Sequence, residues 1–293
     1  MRHSGHRRVR RGFTLIELLV GLVLFGIIGA LCTKLLTTQG RFFDRQAMGN
    51  AARNVSRASL NRVVSDFRMI EATGGVVAAS PTSLTLRIPF AIGVMCQTAG
   101  NVTQLTLLPV DSTTYANATD LTKGGVYGYA WRNFSTGVYS YVENPATEAP
   151  GLPASCVAKN VTTVTNGKVV QVTPVLPAGA GLGTPVFLYQ KVRYEFKAST
   201  AVPGKLGLYR TVIAPNGGES SEELVAPFAN TACWKFFTVA SGLVAQAAAP
   251  ATLSDIRGLE LHLDGTSESI AVTRTTAESA PFTTAVFFKN RTD

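Results

Sequence analysis

Residues 13–33 read FTLIELLVGLVLFGIIGALCT, a nearly unbroken apolar run in which Glu17 is the only charge. As a helix these residues rise about 32 Å, which matches the roughly 30 Å hydrocarbon core of a bilayer. The pattern therefore predicts a transmembrane helix over 13–33. Past it the apolar positions thin out to a helical rhythm: Leu60, Val63, Val64, Phe67 and Ile70 recur at steps of three and four and define one face. Arg41, Arg45, Arg53 and Arg57 fall on other parts of the same helix, read as a solvated or subunit-facing surface, and Ala72-Thr73-Gly74-Gly75 supplies a stop. One helix from about Phe13 to about Ala72 follows, about 90 Å long, with residues 34–72 as an amphipathic stem.

From Ser80 the rhythm changes to two. Short alternating runs separated by Gly, Pro, Ser and Asn predict strands over 83–88, 102–108, 126–131, 138–142, 168–172, 186–196, 206–213, 234–239, 256–263, 269–274 and 282–290. The fold class is α+β: a long N-terminal helix, membrane-spanning in its first half, carrying a β-rich head over 80–293. Residues 144–154 and the Ala-rich 244–252 read as loops. Gly179, Gly181 and Gly183 in AGAGLGTP imitate a phosphate loop, but Pro185 and a strand follow where a helix N-terminus would be needed, so a turn is expected.

The net charge of +9 suggests a nucleic-acid binder until the charges are placed. Arg2, Arg7, Arg8, Arg10 and Arg11 precede residue 13, so the rest of the chain carries 22 of the 27 basic groups against all 18 acids, a net of +4. No nucleic-acid partner is expected. With this basic cluster before the span and only Lys34 close behind it, the N-terminus belongs in the cytoplasm and everything after Lys34 on the far side of the membrane. Of the three histidines, His3 and His6 sit among the leading arginines. His262 stands alone in a strand-like run, which argues against a His-based metal site or catalytic triad; no metal, cofactor or catalytic residue is expected. An ordinary secretory signal shares the basic start, but this run exceeds the usual core of about 7–15 residues, contains a carboxylate and lacks a small-x-small cleavage site. A lipoprotein signal would need a small residue before Cys32, where Leu31 stands.

Four cysteines are present. Cys32 lies in the span, leaving Cys96, Cys156 and Cys233. An oxidising compartment would join two of these and leave one thiol, the alternative being three buried thiols. We take Cys96 and Cys156 as a possible disulfide pair, with Cys233 reduced and buried in the apolar run ACWKFF. The Asn-x-Ser/Thr triplets that begin at Asn54, Asn101, Asn117, Asn133 and Asn160 are read as chance composition.

At Gly12 the chain reads RRGFTLIELLVGLVLFGIIGA. This closely resembles the type IV prepilin and pseudopilin signature, matching Gly12, Phe13, Thr14, Leu15, Ile16, Glu17, Leu18, Leu19 and Val20 without a gap. The resemblance implies that residues 1–12 are a cytoplasmic leader, that a membrane-embedded prepilin peptidase cuts between Gly12 and Phe13, and that Phe13 is then N-methylated. It implies a role in assembly for Glu17. The stretch ending in Asp66, Phe67 and Arg68 also resembles the stem of the larger minor pilins and of the J-type pseudopilin of type II secretion. No proline precedes Pro81, unlike the many major pilins that bend at a proline. The function implied is a structural one, not an enzyme: a minor pilin or pseudopilin that joins or primes a type II secretion or type IV pilus filament, with other pilin subunits as partners. The alternative is a tip-proximal pilin whose head binds DNA or a surface ligand.

Overall fold

The computed structural model describes residues 14–71, 73–118, 125–143, 147–148, 156, 167–177, 179–270 and 274–288. The leader, Gly12 and Phe13 lie outside the described residues. The first element, α1 (Leu15–Arg68), has 54 residues and is about 80 Å long. It stops short of residue 72 for a tertiary reason. The Met69 N–H turns back onto the carbonyls of Asp66 and Phe67, which carries Ile70 inward to full burial. Gly74 then adopts φ +82°, and a Cβ on Gly75 would lie 2.3 Å from the Glu71 carbonyl oxygen, so only glycine fits. Arg87 receives this turn, donating from Nη1 to the Gly74 carbonyl at 2.7 Å and from its backbone to Gly75 at 2.8 Å.

The head follows as β1 (Val76–Ala79), β2 (Ser83–Ala99), β3 (Val102–Leu107), α2 (Pro109–Ala118), β4 (Gly128–Arg132), β5 (Tyr139–Val142), β6 (Thr147–Glu148), β7 (Val169–Val172) and β8 (Pro185–Ala198). It continues with β9 (Leu206–Ile213), β10 (Glu219–Phe228), β11 (Cys233–Thr238), β12 (Ile256–His262), β13 (Gly265–Thr266), β14 (Ser279–Ala280) and β15 (Thr283–Phe287). Among the described residues twelve strands form one antiparallel sheet ordered β14-β13-β10-β9-β8-β2-β3-β7-β6, with β1 on β2 and β4–β5 branching from β8. Strands β11, β12 and β15 form a second, smaller sheet.

The long β2/β8 pair is the spine, running from Ser83 opposite Glu195 to Val94 opposite Pro185. Its two halves serve two cores. In the first, Leu84, Leu86, Val192 and Tyr194 pack with Val63, Phe67 and Ile70 of the helix and with Trp234 and Phe236 of the small sheet. In the second, Ala91, Met95, Val186 and Leu188 pack with Tyr115 of α2 and Trp131 of β4. Only the first core holds the helix.

Three expectations need correction. The strand expected to end at Ile88 runs on to Ala99, because Pro89, which has no N–H to give, is absorbed by a register shift between Pro89 and Ala91. Strand β10 was hidden in the polar run ESSEE, whose residues are held by pairing with β9 and not by an apolar face. Residues 269–274 do not form the expected strand where described: Ser269, Ile270 and Arg274 are irregular. The backbone pairing moves to short β13 and β14, where the Ser267 N–H bonds the Glu278 carbonyl at 2.8 Å. Gly183 takes φ +84° in a turn before β8, and the 244–252 loop is tied by a Phe236–Gln246 bridge. Much of 144–154 lies outside the described residues.

Candidate functional site

The first turn of α1 is closed on itself. Thr14 is the N-cap in extended conformation, and its Oγ1 accepts from the Glu17 N–H at 3.3 Å. Glu17 Oε2 in return accepts from the Thr14 N–H at 3.0 Å and from Oγ1 at 2.9 Å. This capping box satisfies donors that a helix start otherwise leaves open. It also holds the carboxylate one turn from the junction after Gly12.

Through the apolar window that follows, the helix buries no residue against its own chain. Leu15 is 83 % and Phe25 79 % exposed, and no residue of the apolar window is buried. An apolar surface of this extent, apolar on every side, requires lipid or other apolar helices around it. By length and composition it can cross a membrane.

The other end of α1 is anchored by side chains from three elements. Phe67 meets Tyr194 of β8 and Trp234 of β11 edge-on, with ring centroids 5.2 and 5.7 Å away. Beside it the Tyr194 hydroxyl donates to Asp66 Oδ2 at 2.5 Å, and Arg210 Nε lies 3.4 Å from the same oxygen and 3.2 Å from the hydroxyl. Burial, then the Asp66 charge, pushes the Tyr194 phenol well up, so it stays protonated and donates. Burial works against the Arg210 cation, but Tyr194 and Asp66 outweigh it and raise its pKa. Asp66 and Phe67 were singled out from the sequence. Tyr194 and Arg210 were not, because on alternating strands they look like any other residue.

Lower on the helix the buried stripe continues through Ser59, Ser56 and Ala52, which apolar periodicity overlooks. Gly265 explains the last two: its N–H donates to Ser56 Oγ at 3.1 Å, and a Cβ there would sit 2.2 Å from the Ala52 carbonyl oxygen. Small residues on both sides let backbone approach backbone.

Cys96 and Cys156 are joined in a disulfide with Cα atoms 4.9 Å apart, and Cys32 and Cys233 are free. Cys233 is half-buried, not buried, because its side chain lies on the outer face of β11. It pairs directly across from His262, which suggests a thiol and its base. The geometry denies it. His262 Nε2 lies 2.5 Å from Glu260 Oε1 and Nδ1 3.4 Å from the Thr283 hydroxyl, while burial and the nearby Asp264 and Glu260 charges, against the opposing pull of Lys235, push the thiol up. Cys233 is therefore not activated.

Residues 7–33 match the family model described as the prokaryotic N-terminal methylation motif. No curated protein and no solved structure gives a significant match to the chain.

Proposed function

From a chain that carries the type IV prepilin and pseudopilin signature at its N-terminus, we propose a minor pilin or pseudopilin, a structural subunit that joins or primes a type II secretion or type IV pilus filament. The signature supports a pilin-type subunit anchored in the inner membrane, processed by a prepilin peptidase and assembled with other pilin subunits. In this reading the peptidase cuts between Gly12 and Phe13, Phe13 becomes the N-methylated new terminus, and Glu17 binds the terminal ammonium of a neighbouring subunit. The leader stays in the cytoplasm and the head lies in the periplasm.

The observation that carries the proposal is the matched motif continuing into one helix whose apolar half is exposed on every side while its far end is clamped to a folded head. A monomer gains nothing from such a helix beyond an anchor. A filament gains its core. N-terminal mass analysis of the membrane-extracted protein tests the reading: the mature chain begins at Phe13 and carries one methyl group. A chain starting at Met1, or one starting after Cys32, overturns it.

A further inference from the structure

Most of the arginines that the sequence reading gives to a solvated or subunit-facing helix surface share one cleft. Arg45, Arg53 and Arg57 of α1 line a cleft of about 790 Å³ whose opposite wall is the chain around β14, including Arg274 and Glu278. Among the described residues that line it are four arginines and one glutamate, Glu278, which Arg274 approaches at 3.4 Å. Arg53 and Arg57 are exposed, one helical turn apart, and Phe42 at the mouth is 57 % exposed. The cleft is an open, cationic groove with an apolar lip.

We propose that this groove seats a carboxylate-bearing stem segment of a neighbouring filament subunit. The inference rests on the filament-subunit reading above. Charge decides the chemistry of the occupant: it must be anionic. Height decides its source. A hydrocarbon core of about 30 Å takes up some twenty residues from Leu15, ending near Lys34. Arg45 then stands about 16 Å and Arg57 about 35 Å beyond that edge, while the headgroup layer is only about 5–8 Å deep. A typical tilt of about 20° shortens these heights by less than a tenth. Lipid headgroups therefore lie below the groove. A nucleic-acid duplex needs a continuous positive track, and a single strand needs exposed rings for stacking as well. Here Glu278 interrupts the track, and Phe282 packs into the first core, leaving Phe42 as the exposed ring. A neighbouring stem fits what remains, because the groove is continuous with the apolar helix that the filament reading buries among other subunits.

The test uses the full chain in its native membrane. A photo-crosslinking residue is placed at Asn50, inside the groove, and the adduct is sequenced. Recovery of other prepilin-type subunits with the chain is then compared for the unaltered protein, R53E/R57E and the neutral R53Q/R57Q. We expect an adduct on an Asp- or Glu-bearing stem peptide of another prepilin-type protein. Recovery should fall by roughly tenfold or more for the charge reversal and less for the neutral pair, and be restored when the partner's crosslinked carboxylate is changed to arginine. An adduct on phospholipid or nucleic acid, or undiminished recovery of R53E/R57E, overturns the groove proposal and leaves the filament reading standing. If the unaltered chain recovers no prepilin-type subunit, both are overturned.

Discussion

Glu17 concentrates the chemistry of the N-terminal segment in one residue. An unpartnered carboxylate costs about 2.5–3.5 kcal/mol at the centre of a bilayer and less toward the edge, where the first turn of the span places Glu17, and among the described residues its Oε2 is partnered by its own cap, Thr14. Cleavage would add a second partner, the ammonium of Phe13, about 6 Å along the helix axis. A subunit shifted along the filament can present that group more directly than the chain's own geometry allows. Glu17→Gln separates the two roles, since it retains an acceptor for the capping box and removes the charge. We expect this variant to be cleaved and membrane-inserted but recovered with partner subunits at least several-fold less; normal recovery, with Glu17→Ala failing, assigns Glu17 to capping alone.

A second single-residue expectation concerns Glu223. Burial works against its charge, but donors from Ser199, Thr200 and Tyr209 hold its pKa down to about 2 from a usual 4.5. A depressed carboxylate stabilises the fold above its unfolded pKa, and that contribution is lost as pH falls from about 4.5 through about 2. Thermal unfolding of Glu223→Gln should therefore show a lower midpoint than the parent at neutral pH and a gap that narrows on acidification across that window. A gap that does not change with pH would mean that the network acts through its shape and not its charge.

At the scale of elements, α1 is held to the head by two different devices. At its end the hold is aromatic and ionic, through Phe67 and Asp66; further down it is close approach, through Gly265 against Ala52 and Ser56. The second device has no slack. Gly265→Val places a side chain where a Cβ already overlaps a carbonyl oxygen, so the stem must separate from β13. A destabilisation of about 1–3 kcal/mol is expected, and hydrogen exchange should rise over residues 50–60 while the β2/β8 spine stays protected. Uniform loss of protection would mean that the stem and the spine unfold as one unit.

At the scale of the molecule, the two cores on one spine divide the labour. The first fixes the head to α1; the second builds the part of the head away from α1, where the disulfide lies with Val169 in its own small cluster. The bridge spans 60 residues of chain, and closing a loop of that size stabilises by about 4 kcal/mol in the chain-entropy model. Replacing Cys96 and Cys156 by serine should lower the stability of the second core first, seen as faster exchange in β3 and β7 with β9 to β12 little changed. Peptide mapping without reductant provides the direct control; Cys233 found bridged contradicts the pairing.

Sequence alone determined the parts of this protein whose physics is local or one-dimensional. A 21-residue apolar run, a basic flank and a glutamate at fixed spacing after a glycine need no tertiary partner to be read, because lipid and a processing enzyme meet them in linear order. The β-rich head was legible for the same reason, since alternation along each strand records one buried and one wet face. Tertiary structure decided whatever depends on two distant segments meeting. It decided that Pro89 is spanned by a bulge and that polar ESSEE is a strand because β9 pairs with it. It decided that Ser56 is buried because Gly265 lies against it, and that Tyr194 and Arg210 reach Asp66. The arginine groove belongs to this second class: three of its cations sit on the helix, but Arg274 and the opposite wall come from more than two hundred residues further along the chain, and only folding brings them face to face.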